Sequence, residues 1–247
     1  MIDTHAHLTS LDDADEAVAH AAEMGVTRIL TVGTDLDDGR RALSLADRHD
    51  GVFAILGIHP HEAGTATGED VAELRELLQH PKAVAVGETG LDWYRDYAPR
   101  DEQRRLFAAQ LELTADLGKP VVIHSRSADD DTLAALATFT GSVVLHCFSS
   151  PRLLPTALER GWYVSFAGNA TFPKAVDLRL AATEVPTERI LAETDSPYLA
   201  PQPVRGKRNE PANVVHTVAA LAGARGEEPT ELERQIEQNA SECFSLP

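Results

Sequence analysis

The sequence predicts an α/β protein folded as one closed (β/α)₈ barrel, a TIM barrel, over residues 1–247, with its site at the C-terminal ends of the strands. Three observations predict it. Eight short β-branched runs alternate with helical patterns, which implies parallel strands with helices outside them. The length of 247 residues matches the roughly 250 such a barrel takes. And no Gly-x-Gly-x-x-Gly follows an early strand, although a dinucleotide-binding open sheet needs that turn.

The elements follow in order. The first run, Ile2–His7, carries His5 and His7, which a period of two sends to one face. Asp12–Met24 reads as a helix stopped by Gly25, placed where a left-handed C-cap is wanted. Arg28–Gly33 and Asp37–His49 form the second unit. The third strand, Val52–His59, leads into Pro60 and His61, and Glu69–Gln79 is its helix. The fourth, Ala83–Leu91, holds Glu88 and precedes the helix Asp101–Leu117, closed by Gly118. Val121–Ser125 delivers His124 and Arg126 ahead of Asp129–Phe139, which Gly141 should cap. Ser142–Cys147 delivers His146 ahead of Pro151–Arg160 and Gly161. The last two strands are Trp162–Ala167 and Arg189–Glu193, with helices Lys174–Ala182 and Pro211–Ala222. A final helix runs from about Glu231 to Phe244, where Thr230 and Glu233 match a capping box. Proline and glycine concentrate only in Ser196–Pro211, which reads as a long loop on the active side rather than a linker.

Composition narrows the class. At 43% hydrophobic residues there is ample material for a core, and no apolar run is long enough to span a bilayer. The chain opens directly on the His5–His7 stretch, without the basic and apolar regions of a secretory signal. The two cysteines, Cys147 and Cys243, offer no disulfide framework. A cytoplasmic protein, with no obligate protein partner and a monomer, is the expectation. A net charge of −17 makes the chain a poor non-specific binder of nucleic acid. A nucleic-acid substrate would need positive charge concentrated at the site.

The barrel places chemistry at the strand ends, and polar residues of one kind collect there. Strand one ends in His5 and His7, strand four carries Glu88, and strands five and six end in His124 and His146. After strand eight comes Asp195. Any one of these alone is an ordinary strand-end polar residue. Together, four histidines and two carboxylates on one rim form a nitrogen and oxygen cage able to hold two divalent ions. A catalytic metal site needs about three protein ligands and an open position, which a lone His-x-His cannot supply.

The motifs on those strands carry a resemblance. They are Ile2 through Leu8, Gly57 through His61, Val86 through Asp96, His124-Ser125-Arg126, His146 through Ser149, Ser165 through Asn169, Glu193 through Pro201 and Arg205 through Pro211. In this order, over the whole chain, they resemble the TatD family of metal-dependent deoxyribonucleases within the amidohydrolase-like barrels. The resemblance implies that His5, His7 and Asp195 hold one ion, His124 and His146 the other, and that Glu88 bridges them. It implies a phosphodiester hydrolase acting on DNA through a metal-activated water, as a 3′→5′ exonuclease on single strands. Asp195 and Glu88 would be its catalytic residues. The cofactors would be two divalent ions, Mg²⁺, Mn²⁺ or Zn²⁺; imidazole-rich coordination suits Zn²⁺ and Mn²⁺, whereas the family is usually described as Mg²⁺-dependent. Three positions depart from the family's usual pattern, Ala6, Ser127 and Ser150, and none removes a ligand.

Substrate contacts are read from the same rim. His59, Arg126, Asn169, Arg205, Lys207 and Arg208 are the candidates, the last three forming a basic cluster in an acidic chain. Trp93 and Tyr94 either stack on a base or pack as a lid on their own helix. Cys147 follows His146 and should point to the opposite face, packed and not nucleophilic. Two other functions fit the same cage. One is a hydrolase of another ester: a small phosphoester, a lactone or misacylated tRNA. The other is a non-catalytic scaffold or binding protein that keeps its metal for stability.

Overall fold

A computed structural model describes residues 1–95 and 97–247; Asp96, the last residue of the fourth-strand motif, lies outside the described residues. Eight strands form one parallel sheet in sequence order. They are β1 (Ile2–Ala6), β2 (Arg28–Gly33), β3 (Val52–Leu56), β4 (Ala83–Asp92), β5 (Val121–Arg126), β6 (Val143–Leu145), β7 (Tyr163–Phe166) and β8 (Ile190–Ala192). Their residues are almost all buried, as expected where helices cover one face of a sheet and its own interior fills the other.

The circle closes through the residues that carry the chemistry. β1 meets the segment after β8 at the Ala6–Ser196 bridge. The His7 amide donates to the Ser196 carbonyl at 2.8 Å, and the Asp195 amide to the His5 carbonyl at 2.9 Å. Fully buried Asp3 accepts from the Thr194 amide at 2.9 Å and the Thr194 hydroxyl at 2.5 Å. Burial pushes its carboxyl up to about 8 despite these bonds, so it sits in the seam largely as a proton-bearing group near neutrality.

The helices are α1 (Ala14–Glu23), α2 (Leu36–Arg48), α3 (Gly68–Leu77), α4 (Arg100–Leu117), α5 (Asp129–Leu136), α6 (Leu154–Glu159), α7 (Val176–Glu184), α8 (Val214–Arg225) and α9 (Pro229–Phe244). Local chemistry sets their starts. The Asp35 carboxylate caps α2 through the Asp38 amide, and Thr67 with Asp70 forms a capping box on α3. The capping box expected at Thr230 is absent. Pro229 takes the first helical position, which its fixed φ suits, and Thr230 falls inside the helix. Gly118 ends α4 at φ +63°, as expected, but Gly141 is not left-handed. A Cβ there would lie 2.6 Å from the Phe139 ring, so the missing side chain makes room for packing.

Five strands are shorter than predicted, β1, β7 and β8 by single residues at their ends and β3 and β6 by more. β3 stops at Leu56, which leaves His59 on a loop whose amide bonds the Thr34 carbonyl. β6 stops at Leu145, and Cys147 turns the chain at φ +44°. β4 runs one residue further, to Asp92. Buried Gln110 of α4 fastens the loop after β3 to β4: it accepts from the Ile58 amide at 2.8 Å and donates to the Thr89 hydroxyl at 2.7 Å. Burial of strand and helix faces against each other supplies the driving force.

Candidate metal centre

Four of the candidate ligands, His5, His7, His124 and His146, converge on Glu88, and Asp195 joins them through His7. Its carboxylate is 3% exposed, near the middle of β4. His124 Nδ1 lies 2.6 Å and His146 Nε2 2.8 Å from Glu88 Oε1. His5 Nε2 and His7 Nε2 are 3.5 and 3.8 Å from Oε2, and His7 Nε2 is 3.4 Å from Asp195 Oδ1. The pairing of His5 and His7 on one face is observed, with ring centroids 5.1 Å apart. Among the described residues, three sets have ligand atoms close enough to share an ion: His5, His7 and Glu88; His5, His146 and Asp195; His59, Glu88 and His124.

His5 decides whether the donors fit a metal. Its ring is 0% exposed, and neither Nδ1 nor Nε2 has a hydrogen-bond partner, although buried polar atoms are normally satisfied. Imidazole nitrogens and carboxylates packed at this spacing are the donor set of a divalent transition ion.

The electrostatics agree. Burial alone would raise the Glu88 carboxyl, but the imidazoles of His146, His59 and His124 hold it well below the usual carboxylate range. Burial is the largest influence on Asp195 and works against its ionisation, but the hydrogen bond to His7 together with the charges of His7, His146 and His5 lowers it on balance. Burial pushes His59 down to about 4, with His124 and His61 adding to the effect against the pull of Glu88. Its Nδ1 accepts from the His61 amide at 3.1 Å, so the ring hydrogen sits on Nε2 and points toward the cluster.

Two carboxylates that sequence reasoning did not single out stand behind the imidazoles. Glu193 Oε1 lies 3.1 Å from His146 Nδ1 and accepts from the Cys147 amide at 2.7 Å, while Oε2 accepts from the Ser165 hydroxyl at 2.5 Å. Asp92 Oδ2 lies 3.3 Å from His124 Nε2 and 2.9 Å from His61 Nε2. Their signal was present, since Glu193 stands two residues before Asp195 and Asp92 four after Glu88.

A cleft of about 650 Å³ opens over the cluster, and His59, Arg126 and Asn169 line it with His7, Glu88, His124, His146 and Asp195 but not the wholly buried His5. Asn169 Oδ1 is buried there without a partner. Arg205, Lys207 and Arg208 are not among the lining residues. Arg205 stacks on Phe172 at 3.6 Å, and Arg208 pairs with Asp12 at 2.6 Å and bonds the Ser10 carbonyl. Trp93 packs as a lid would, its indole donating to Asp131 at 2.8 Å under Arg100 and Arg104. Cys147 lines the cleft instead of pointing away, because the chain has already left the strand. Burial, with Asp195, Glu193 and Glu88 nearby, pushes its thiol well above the usual range, so it is no thiolate nucleophile.

Known proteins resemble this chain in sequence and fold. The family model described as TatD related DNase matches residues 2–245. The protein named 3′-5′ ssDNA/RNA exonuclease TatD from Erwinia billingiae is 40% identical over 100% of both chains. An uncharacterized metal-dependent hydrolase TatD of Mycobacterium tuberculosis is 39% identical over 100% of this chain and 98% of its own. Among solved structures, the Escherichia coli TatD homologue YjjV superposes with a TM-score of 0.94 at 28% identity, covering 100% of this chain and 98% of that one. None of the described helices is long and apolar enough to cross a membrane. Matched to the family model over residues 2–245 and to relatives at 40% and 39% identity along its whole length, this chain belongs to the TatD family of metal-dependent hydrolases.

Proposed function

We propose that this protein is a divalent-metal-dependent phosphodiester hydrolase that shortens single-stranded DNA from its 3′ end. The observation that carries the reading is His5, wholly buried with both ring nitrogens unpartnered among carboxylates and imidazoles. Leaving such a group unmatched costs about 1–3 kcal/mol, and a bound cation removes that cost. As the family resemblance implies, His5, His7 and Asp195 would hold one ion and His124 and His146 a second, with Glu88 available to both. The open cleft favours catalysis over a structural role, because a structural site is closed by its own ligands. Zn²⁺ and Mn²⁺ suit the imidazole-rich set better than Mg²⁺.

Bound divalent ions supply Lewis-acid polarisation of the phosphodiester and acidify a water. The protein's own side chains do the rest. Asp195, held ionised beside His7, takes the proton from the attacking water. Neutral His59 directs its Nε2 hydrogen to a phosphate oxygen, which suits a substrate contact better than a metal ligand. Arg126 and Asn169 hold the phosphate from the cleft wall. Arg205, Lys207 and Arg208, outside the cleft, meet only nucleotides beyond the reacting one. Substrate and polarity extend to this chain what the name of the Erwinia relative says of that protein.

The test is hydrolysis of a 5′-labelled single strand by metal-stripped protein refilled with Mg²⁺, Mn²⁺ or Zn²⁺, beside Glu88→Ala. A metal-dependent ladder receding from the 3′ end, absent in the variant, is expected. If no ion restores cleavage while the protein still binds metal, DNA is not the substrate, and carboxylic esters become the next class to assay.

A further inference from the structure

The segment after β4 forms a braced lip over one side of the cleft. Asp92 is buried, and its Oδ1 accepts from the amides of Tyr94 and Arg95, both at 2.8 Å. Fully buried Gln103 closes the other end: it accepts from the Asp92 amide at 2.9 Å and donates to the Ala98 carbonyl at 3.0 Å. The Asp92 carboxylate that fastens this lip also contacts His124 and His61, so lip and metal cluster share one anchor. Beside these anchors, large aromatic side chains stand out in solvent: Tyr94 is 62% and Tyr97 64% exposed. Neither tyrosine is buried by packing, so each leaves a large apolar ring open to a partner beside the cleft.

Their neighbours are cations. The Arg126 guanidinium lies over the Tyr94 ring at 4.0 Å, and Arg95 lies 5.6 Å from Tyr94 and 5.9 Å from Tyr97. A guanidinium stacked by its face keeps its N–H edges free for an anion. Arg95, Tyr97 and Arg126 all line the cleft of a chain whose net charge is −17. Trp93 is held under Arg100 and Arg104, and Tyr94 supports Arg126, which leaves the Tyr97 ring, perpendicular to His61 at 4.7 Å, to receive a base.

We propose that this lip is the subsite for an unpaired nucleotide flanking the scissile phosphate, Arg95 and Arg126 taking its phosphate and Tyr97 stacking on its base. The inference rests on the phosphodiesterase reading and deepens it by naming the residues that would hold the flanking nucleotide. A base offers its face to Tyr97 only when unstacked, so the subsite selects single strands over duplex. Tyr94 acts as a positioning residue, through Arg126.

The test measures Kd by fluorescence anisotropy, using a fluorescein-labelled phosphorothioate single strand that resists hydrolysis and the metal-loaded protein. Tyr97→Ala and Arg126→Gln should each weaken binding by roughly tenfold. Tyr97→Phe, which keeps the ring, should stay within about twofold of wild type. An oligonucleotide with a baseless spacer at the flanking position should bind wild type as weakly as the normal strand binds Tyr97→Ala. Melting temperatures confirm that the variants are folded. Wild-type affinity in both Tyr97→Ala and Arg126→Gln, or equal affinity for a length-matched duplex, overturns the subsite, as does failure of the wild type to bind the single strand. Turnover of bis(p-nitrophenyl) phosphate by wild-type protein separately reports the phosphodiesterase reading, so the two can fail apart.

Discussion

Replacing Glu193 separates the worth of its charge from the worth of its hydrogen bonds. In Glu193→Gln the amide oxygen can still accept from the Cys147 amide and His146, and the amide nitrogen can donate to the Ser165 hydroxyl, which accepts as well as donates. Every partner stays matched, and only the charge behind His146 is lost. Partners of this kind are worth about 10–100-fold in metal affinity, or roughly 1.4–2.7 kcal/mol. Glu193→Ala removes the acceptors too. Stranded buried donors cost about 1–3 kcal/mol each, and Ser165 can fall back on Thr4 at 3.2 Å. The net loss is then about 2–5 kcal/mol, a fall in Tm on the order of 10 °C. Thermal melts of stripped protein and competition titrations with a chromophoric chelator read the two effects separately. The glutamine variant should melt near wild type and bind metal more weakly; the alanine variant should lose both. Equal metal affinity in all three proteins would refute the claim that Glu193 orients His146.

His5→Leu should be neutral or stabilising by about 1–3 kcal/mol in metal-stripped protein, because it deletes an unpartnered buried imidazole, yet destabilising in metal-loaded protein; paired melts with and without metal check the reversal. Stripping metal from wild type should itself lower stability, by about 2.7 kcal/mol relative to metal at a hundred times its Kd, and refilling should restore it; calorimetry at graded metal concentrations measures this. Gln110→Ala strands the Ile58 amide and carbonyl and leaves a cavity, so a loss of about 3 kcal/mol is expected in urea melts, together with reduced activity because the loop carrying His59 loosens.

Much of the fold was legible because β-branched runs and helix punctuation alternate without interruption, and because sequential strands in a barrel need no long-range choice of partner. The six convergent residues were legible for a related reason. A barrel gathers strand ends on one rim whatever the side chains, so polar residues at those ends meet. What local sequence could not carry is which way a residue turns once the strand has ended. Glu193 and Asp195, two apart, would share a face by alternation, but β8 stops at Ala192 and Asp195 sits at φ +55°, so one turns behind His146 and the other toward His7. Cys147 lines the cleft for the same reason. That Arg205 and Arg208 are engaged outside the cleft was not legible, because the Asp12 partner of Arg208 and the Phe172 under Arg205 belong to distant segments. Trp93 was claimed by Asp131 from the next unit, and Pro229 displaced the expected cap at Thr230.

The centre itself can be located directly. Crystals of Mn²⁺-loaded protein, with diffraction collected above and below the manganese edge, would place any ion by its anomalous signal. Two peaks flanking Glu88 are expected, one against His5, His7 and Asp195 and one against His124 and His146. Loaded crystals without a peak at this cluster, or with manganese bound elsewhere, would contradict the metal centre and the hydrolysis built on it.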